Sequence, residues 1–162
     1  MSHTLVLDIG KSHKKCIVFD ENWQIVFEKS EILPTISDED GDPCEDIDLL
    51  TNWVRDSYAL VCNKRELTVT HVHATAYGAS LVYLDREGTV LTPMYDYHKP
   101  YPERLYQLFQ ERHGNMDRID LQTASPRLGS LNSGMQFFRL KYDQPELFER
   151  VDSALHLPHY IT

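Results

Sequence analysis

Apolar and polar residues alternate in three short runs near the amino terminus: TLVLD at 4–8, KCIVFD at 15–20 and QIVFEKS at 24–30. Each is rich in β-branched and aromatic side chains, which suit a pleated, half-buried surface. Polar turns at 10–14 and 21–23 separate them. The pattern predicts two hairpins in succession, an antiparallel meander. The acidic stretch PTISDEDGDP at 34–43 reads as a solvated connection. A helix is then predicted over 43–62. Asp42 would cap it, Pro43 would take its first position and Glu45 would complete a capping box. Ile47, Leu50, Val54, Tyr58 and Val61 recur along it at helical spacing.

LTVTHVHATAYG at 67–78 reads as a strand that ends in a glycine turn at Gly78. A strand, a helix and a further strand after a meander predict a right-handed crossover onto a parallel neighbour. SLVYLDREGTVLTP at 80–93 predicts another hairpin, turning at Arg86-Glu87-Gly88. Beyond it the chain reads as mostly helical. PERLYQLFQERHG closes on Gly114 as a C-cap. Leu131, Met135, Phe138 and Tyr142 line one face of a second helix, and Asp143 with Glu146 predicts a capping box on a third. The sum is an α/β domain with a mixed, five-stranded sheet: an antiparallel meander, a parallel crossover strand and helices packed on it.

Composition narrows the class. With 41% hydrophobic and 25% charged residues the chain is an ordinary globular one. Its 162 residues suffice for one domain with a real core. No apolar run is long enough for a membrane helix, and the first residues lack a leader pattern. The expectation is a cytoplasmic protein with no membrane partner. Three widely spaced cysteines, Cys16, Cys44 and Cys62, point to free thiols in a reducing compartment. A net charge of -9 argues against nucleic acid as a partner, because phosphate backbones select basic faces.

Against that acidic background, the turn DIGKSHKK at 8–15 concentrates positive charge. Asp8 ends an otherwise apolar strand, where an unpaired carboxylate is costly unless it faces a ligand, a metal-bound water or a polar cleft. Gly10 lets the backbone approach a ligand closely. Lys11, Ser12 and Lys15 supply charge and donors, and successive turn amides form an anion-binding concavity. The combination reads as a nucleotide-phosphate and Mg2+ site on a β-hairpin, with Asp8 organising the hydrated metal. A solvated hairpin turn is the plainer alternative.

Three blocks carry a family resemblance. DIGKSHKKCIVFDENWQIVFE, YGASLVYLDREGTVLTPMYDY and QFFRLKYDQPELFERVDSALHLPHYI resemble, in order, segments of the FGGY carbohydrate kinases, in the sugar kinase, chaperone and actin superfamily. Asp8, Gly10, Ser12, Lys15 and Asp20 fall on the family's phosphate motif. The resemblance implies a ribonuclease H-like (actin-like ATPase) domain, and ATP and Mg2+ as cofactors. It also implies phosphorylation of a ketose or polyol hydroxyl.

Sugar contacts are expected from Tyr77, Gly78 and Ala79, and from Asp96, His98 and Lys99. The match departs at Lys11, where the family often has Thr, and at YDYHKPYP, which replaces a frequent Trp-x-Asp-x-Arg. The family pattern runs on past Thr162. The expectation is therefore an incomplete first domain over 1–162, inactive alone, lacking the catalytic base and the adenosine-binding domain. An unpaired cleft face would favour a homo-oligomer.

Other signals are weaker. His71 and His73 share a strand face at metal-ligand spacing but have no third ligand. The acidic run lacks EF-hand spacing. Tyr95, Tyr97 and Tyr101 read first as structural, and Cys16 as a small core residue. Two other functions stay open: a non-catalytic sugar- or phosphate-binding module of the same fold, and a ribonuclease H-like nuclease. The nuclease lacks clustered carboxylates beyond Asp8 and Asp20.

Overall fold

A computed structural model describes residues 1–162. The meander forms as predicted: β1 (His3–Ile9), β2 (Lys14–Phe19) and β3 (Ile25–Glu31) pair antiparallel in sequence. Two short strands follow, β4 (Thr35–Ser37) and β5 (Pro43–Glu45). The long helix α1 (Ile47–Cys62) crosses to β6 (Val69–Ala76), which lies parallel to β1. The main sheet has four strands, in the order β3-β2-β1-β6, rather than five. After it come β7 (Leu81–Leu84), α2 (Glu103–His113), α3 (Met116–Thr123), a 3-10 turn at Gly129–Leu131, α4 (Ser133–Asp143), α5 (Pro145–Phe148), β8 (Ser153–His156) and α6 (Leu157–Ile161).

Alternation explains the core. Leu5, Leu7 and Ile9 of β1 and Cys16 and Val18 of β2 point to one face of the sheet, where Ile47, Leu50, Trp53 and Val61 of α1 cover them. Val82, Met94 and Leu157 close the same cluster from the carboxyl-terminal half.

Three local expectations are corrected. Helix α1 starts at Ile47, not at 43, and Asp46 is its cap: Leu49 N–H donates to the Asp46 carboxylate at 2.9 Å. Asp42 is not free to cap, because 38–42 closes a hairpin between β4 and β5. Asp38 accepts the amides of Asp40 and Asp42 there, each at 3.0 Å. The hairpin at 80–93 turns where expected, with Asp85 N–H on the Thr89 carbonyl at 3.0 Å and Leu91 N–H on the Tyr83 carbonyl at 2.9 Å, but its second arm is short and the ladder partner of β7 is β8. The chain leaves that hairpin because Met94 bridges to Glu45 of β5 instead. The capping box at 143–146 does not form. Asp143 ends α4, and its carboxylate is held by Arg104 at 2.5 Å and Arg139 at 3.5 Å.

Candidate functional site

The β1–β2 turn is built on Gly10. Its N–H donates to the His13 carbonyl at 2.9 Å, and a Cβ at Gly10 would lie 2.9 Å from that same oxygen. Only glycine closes this turn without moving backbone. The next three amides, of Lys11, Ser12 and His13, make no backbone hydrogen bond. They are three successive unused donors in a tight turn, a feature that can bind anions. Asp8 is half-buried on the sheet face away from α1. Lys15 is its partner across the ladder, but the Lys15 ammonium turns to Glu28 at 3.8 Å. Ser12 is exposed at the tip.

The end of β6 reaches the same place. Tyr77 N–H donates to the Ile9 carbonyl at 3.3 Å, which sets Tyr77 beside the turn. Lys11 Nζ lies 5.5 Å from the ring centres of both Tyr77 and Tyr97 and pairs with Asp96 at 2.9 Å. Asp96 also accepts the His98 N–H at 2.8 Å, and His98 Nδ1 lies 3.3 Å from it. Burial pushes the Asp96 carboxyl up, but the hydrogen bonds from the His98 backbone and Lys11 outweigh it and hold the group below the usual carboxylate range. Lys11, Tyr77, Asp96 and His98, four residues singled out from the sequence, therefore come together.

Gly78 and Ala79 form the adjoining loop, and its carbonyls are pinned from two sides. His156 Nδ1 lies 2.6 Å from the Gly78 oxygen, and Gln136 Nε2 donates to Ala79 at 2.6 Å. Gln136 escaped the sequence reading because a glutamine on a helix carries no signal of its own.

Beneath the site lies an ion pair that sequence reasoning also missed. Lys14 is buried, and its ammonium pairs with the buried Glu45 carboxylate. Lys14 also donates to the Lys11 carbonyl at 3.1 Å, and the Tyr77 hydroxyl donates to Glu45. Burial, then the bond to Glu45, push the Tyr77 phenol far above its ordinary value. The available signal was alternation: Lys14 shares its face with Cys16 and Val18.

Lys99 is directed elsewhere. Its ammonium is buried among Asp38, Asp40 at 2.9 Å and Asp42 at 3.6 Å. The oxygens of these three aspartates lie within 4.8 Å of one another, and Lys99, with Arg139 on Asp40, offsets part of their charge. Lys99, Asp96, Arg104, Gln136 and Arg139 help line a neighbouring cavity of about 360 Å³. Asp96 thus faces both the Lys11 cluster and this cavity.

Residues 3–162 match the N-terminal domain of the FGGY family of carbohydrate kinases. The chain belongs to that family. It is similar to rhamnulokinase of Halalkalibacterium halodurans, with 24% identity over 161 residues, covering 99% of this chain and 34% of that protein. Solved structures agree on the fold. Gluconate kinase from Lactobacillus acidophilus aligns with a TM-score of 0.82 at 19% identity, covering 99% of this chain and 32% of that one. Xylulose kinase from the same organism aligns at 0.83 and 19%, with the same coverage. Xylulose kinase from Rhodospirillum rubrum aligns at 0.80 and 17%, covering 98% and 33%. The chain therefore has the actin-like ATPase fold of these sugar kinases and spans about a third of their length. No helix is long and apolar enough to cross a membrane.

Proposed function

We propose that this FGGY chain contributes the first domain of an ATP-dependent kinase acting on a sugar hydroxyl. The observation that carries the reading is the row of unused amides at Lys11, Ser12 and His13, closed by Gly10 and placed beside Tyr77 and Asp96. Phosphoryl transfer depends mainly on positioning and charge neutralisation, which such a turn supplies. The residues fit the implied cofactors: free donors suit phosphate oxygens, and Asp8 makes no ion pair that would compete for a hydrated Mg2+. Bound Mg2+ would neutralise charge on the phosphates. Asp8 would hold its water, while Gly10, Ser12 and Lys15 would flank the phosphate path. Tyr77, Gly78, Ala79, Asp96 and His98 would orient the sugar.

Charge favours a neutral sugar. Lys11, Lys99, Arg104 and Arg139 all have carboxylate partners, so no lysine or arginine in these walls is left to meet a sugar acid. Rhamnulose and xylulose therefore suit the site better than gluconate. The one carboxylate of this cavity without a cation, Glu39, accepts hydrogen bonds from the Tyr95 hydroxyl and Gln144 and so is committed to the wall rather than offered as a base; the chain alone should bind without efficient turnover. That feature also favours the second reading, a sugar-binding module without catalysis.

The test titrates the 162-residue chain with rhamnulose, xylulose, glycerol, gluconate and Mg·ADP, following the Gly10 and Gly78 amides by NMR. ADP release is assayed in parallel. The kinase reading expects Mg·ADP to shift Gly10 and a neutral sugar to shift Gly78. Sugar binding with no response to Mg·ADP would turn the conclusion to the binding module, and silence to every ligand would refute both.

A further inference from the structure

Resting on the kinase reading, we infer that Lys14 and Glu45 are positioning residues that hold the phosphate turn and the sugar loops in one fixed relation. A single buried node touches all three segments of the site. Lys14 Nζ bonds the Lys11 carbonyl, which fixes the β1–β2 turn. Glu45, paired with Lys14, receives the Tyr77 hydroxyl, which fixes the end of β6. The Glu45 backbone exchanges hydrogen bonds with Met94, N–H to O at 3.1 Å and O to N–H at 3.3 Å, and so anchors the loop that carries Asp96, Tyr97 and His98. Neither side chain reaches solvent enough to act on a ligand itself: Lys14 is 1% and Glu45 6% exposed.

Stability does not explain the pair. A buried ion pair loses about as much in desolvation as it gains in attraction, and apolar residues of similar volume often serve as well or better. Apolar side chains at 14 and 45 would fill the same space. They would leave the Lys11 carbonyl and the Tyr77 hydroxyl without direction. What the charges add is geometry: one ammonium and one carboxylate set the distance between the amides that would meet phosphate and the ring that would meet sugar. Differences of about 1 Å in such placement cost on the order of a hundredfold in rate.

The experiment compares the parent chain with Lys14→Met, Glu45→Leu, the double variant and Tyr77→Phe. The double variant matters most, because it removes both charges together and leaves no unpaired ion in the core. Thermal melts establish folding, ¹H–¹⁵N spectra report on Gly10, Ser12, Gly78 and Tyr97, and titrations use rhamnulose and Mg·ADP. In the folded double variant the signals of the turn and of Gly78 should move together, with Tyr97 moving less because the Glu45 backbone still holds its loop, and affinity for both ligands should fall by about tenfold or more. Tyr77→Phe should move Gly78 and weaken rhamnulose while leaving Mg·ADP within about twofold. A double variant with altered melting but unmoved site signals would overturn the inference, as would movement confined to one segment. If the parent binds neither ligand, the kinase reading fails, and the spectra still decide whether the node couples the three segments.

Discussion

Replacing Lys99 by methionine separates a structural role from a ligand-binding one. The Lys99 ammonium is 4% exposed and sits among three aspartates, of which Asp38 is fully buried. Asp38 keeps two backbone donors, the amides of Asp40 and Asp42, but loses its only cation. Removing one partner of a buried ion pair costs about 3–5 kcal/mol. The domain holds a total stability on the order of 5–15 kcal/mol. At about 2–4 °C per kcal/mol for a chain of this size, the melting temperature should fall by roughly 6–20 °C.

Acid sensitivity gives an independent check. The hydrogen bond from Lys99 is the largest cause that holds the Asp40 carboxyl low. A carboxylate with a depressed folded pKa contributes stability that is complete above its unfolded value of about 4 and lost as pH falls through the folded value. Lys99→Met should therefore flatten the acid limb below pH about 4 in urea titrations. The freed aspartates should also accept millimolar Ca2+, which prefers several carboxylate oxygens, and the ion should return part of the lost stability. A variant within about 1 kcal/mol of the parent, with an unchanged acid limb, would refute the view that Lys99 is committed to this cluster.

Three further outcomes are expected. Gly10→Ala should lower Mg·ADP affinity by about tenfold or more and destabilise by roughly 1–3 kcal/mol, because its Cβ meets backbone and not a flexible side chain; calorimetric titration and urea melts read both. Asp46→Ala should cost about 1 kcal/mol in urea melts through loss of the α1 cap, whereas Asp42→Ala should leave α1 helicity unchanged. Asp96→Asn frees Lys11 from its carboxylate partner, and should shift ligand preference from rhamnulose towards gluconate by about tenfold; an unchanged ratio would show that Lys11 does not face the sugar.

What was legible in the sequence was local. The meander, the crossover helix and the glycine turn announce themselves within a few residues of one another. Helix α1 was found through its apolar stripe, but its start was misplaced because Asp42-Pro43 imitates a cap that the fold does not use. A tertiary contact decides. Met94 bonds the Glu45 backbone and holds Pro43–Glu45 extended, leaving Asp46 as the first free cap. The pairing of β7 with β8 was hidden for the same reason, since both strands are short and their ladder spans half the chain.

Charge was the least legible quantity, because its meaning depends on distant partners. Lys11, Lys14 and Lys15 look alike as a basic turn, yet their ammonium groups go to Asp96, Glu45 and Glu28. One lies at the loops carrying Tyr77 and Asp96, one in the core and one beside Asp8 on the far face of the sheet. What remains for an anion at the turn itself is therefore chiefly the backbone amides, with Lys15 as the nearest adjustable charge. That division carries a consequence for salt. Fixed amides keep their dipoles at any ionic strength, whereas an exposed lysine is screened within about 8–10 Å at physiological salt. If the amides dominate, raising NaCl from 50 to 500 mM should weaken Mg·ADP binding only about as much in the parent as in Lys15→Ala. A parent that loses tenfold more affinity than the variant would put the lysine, not the turn, at the centre of phosphate recognition.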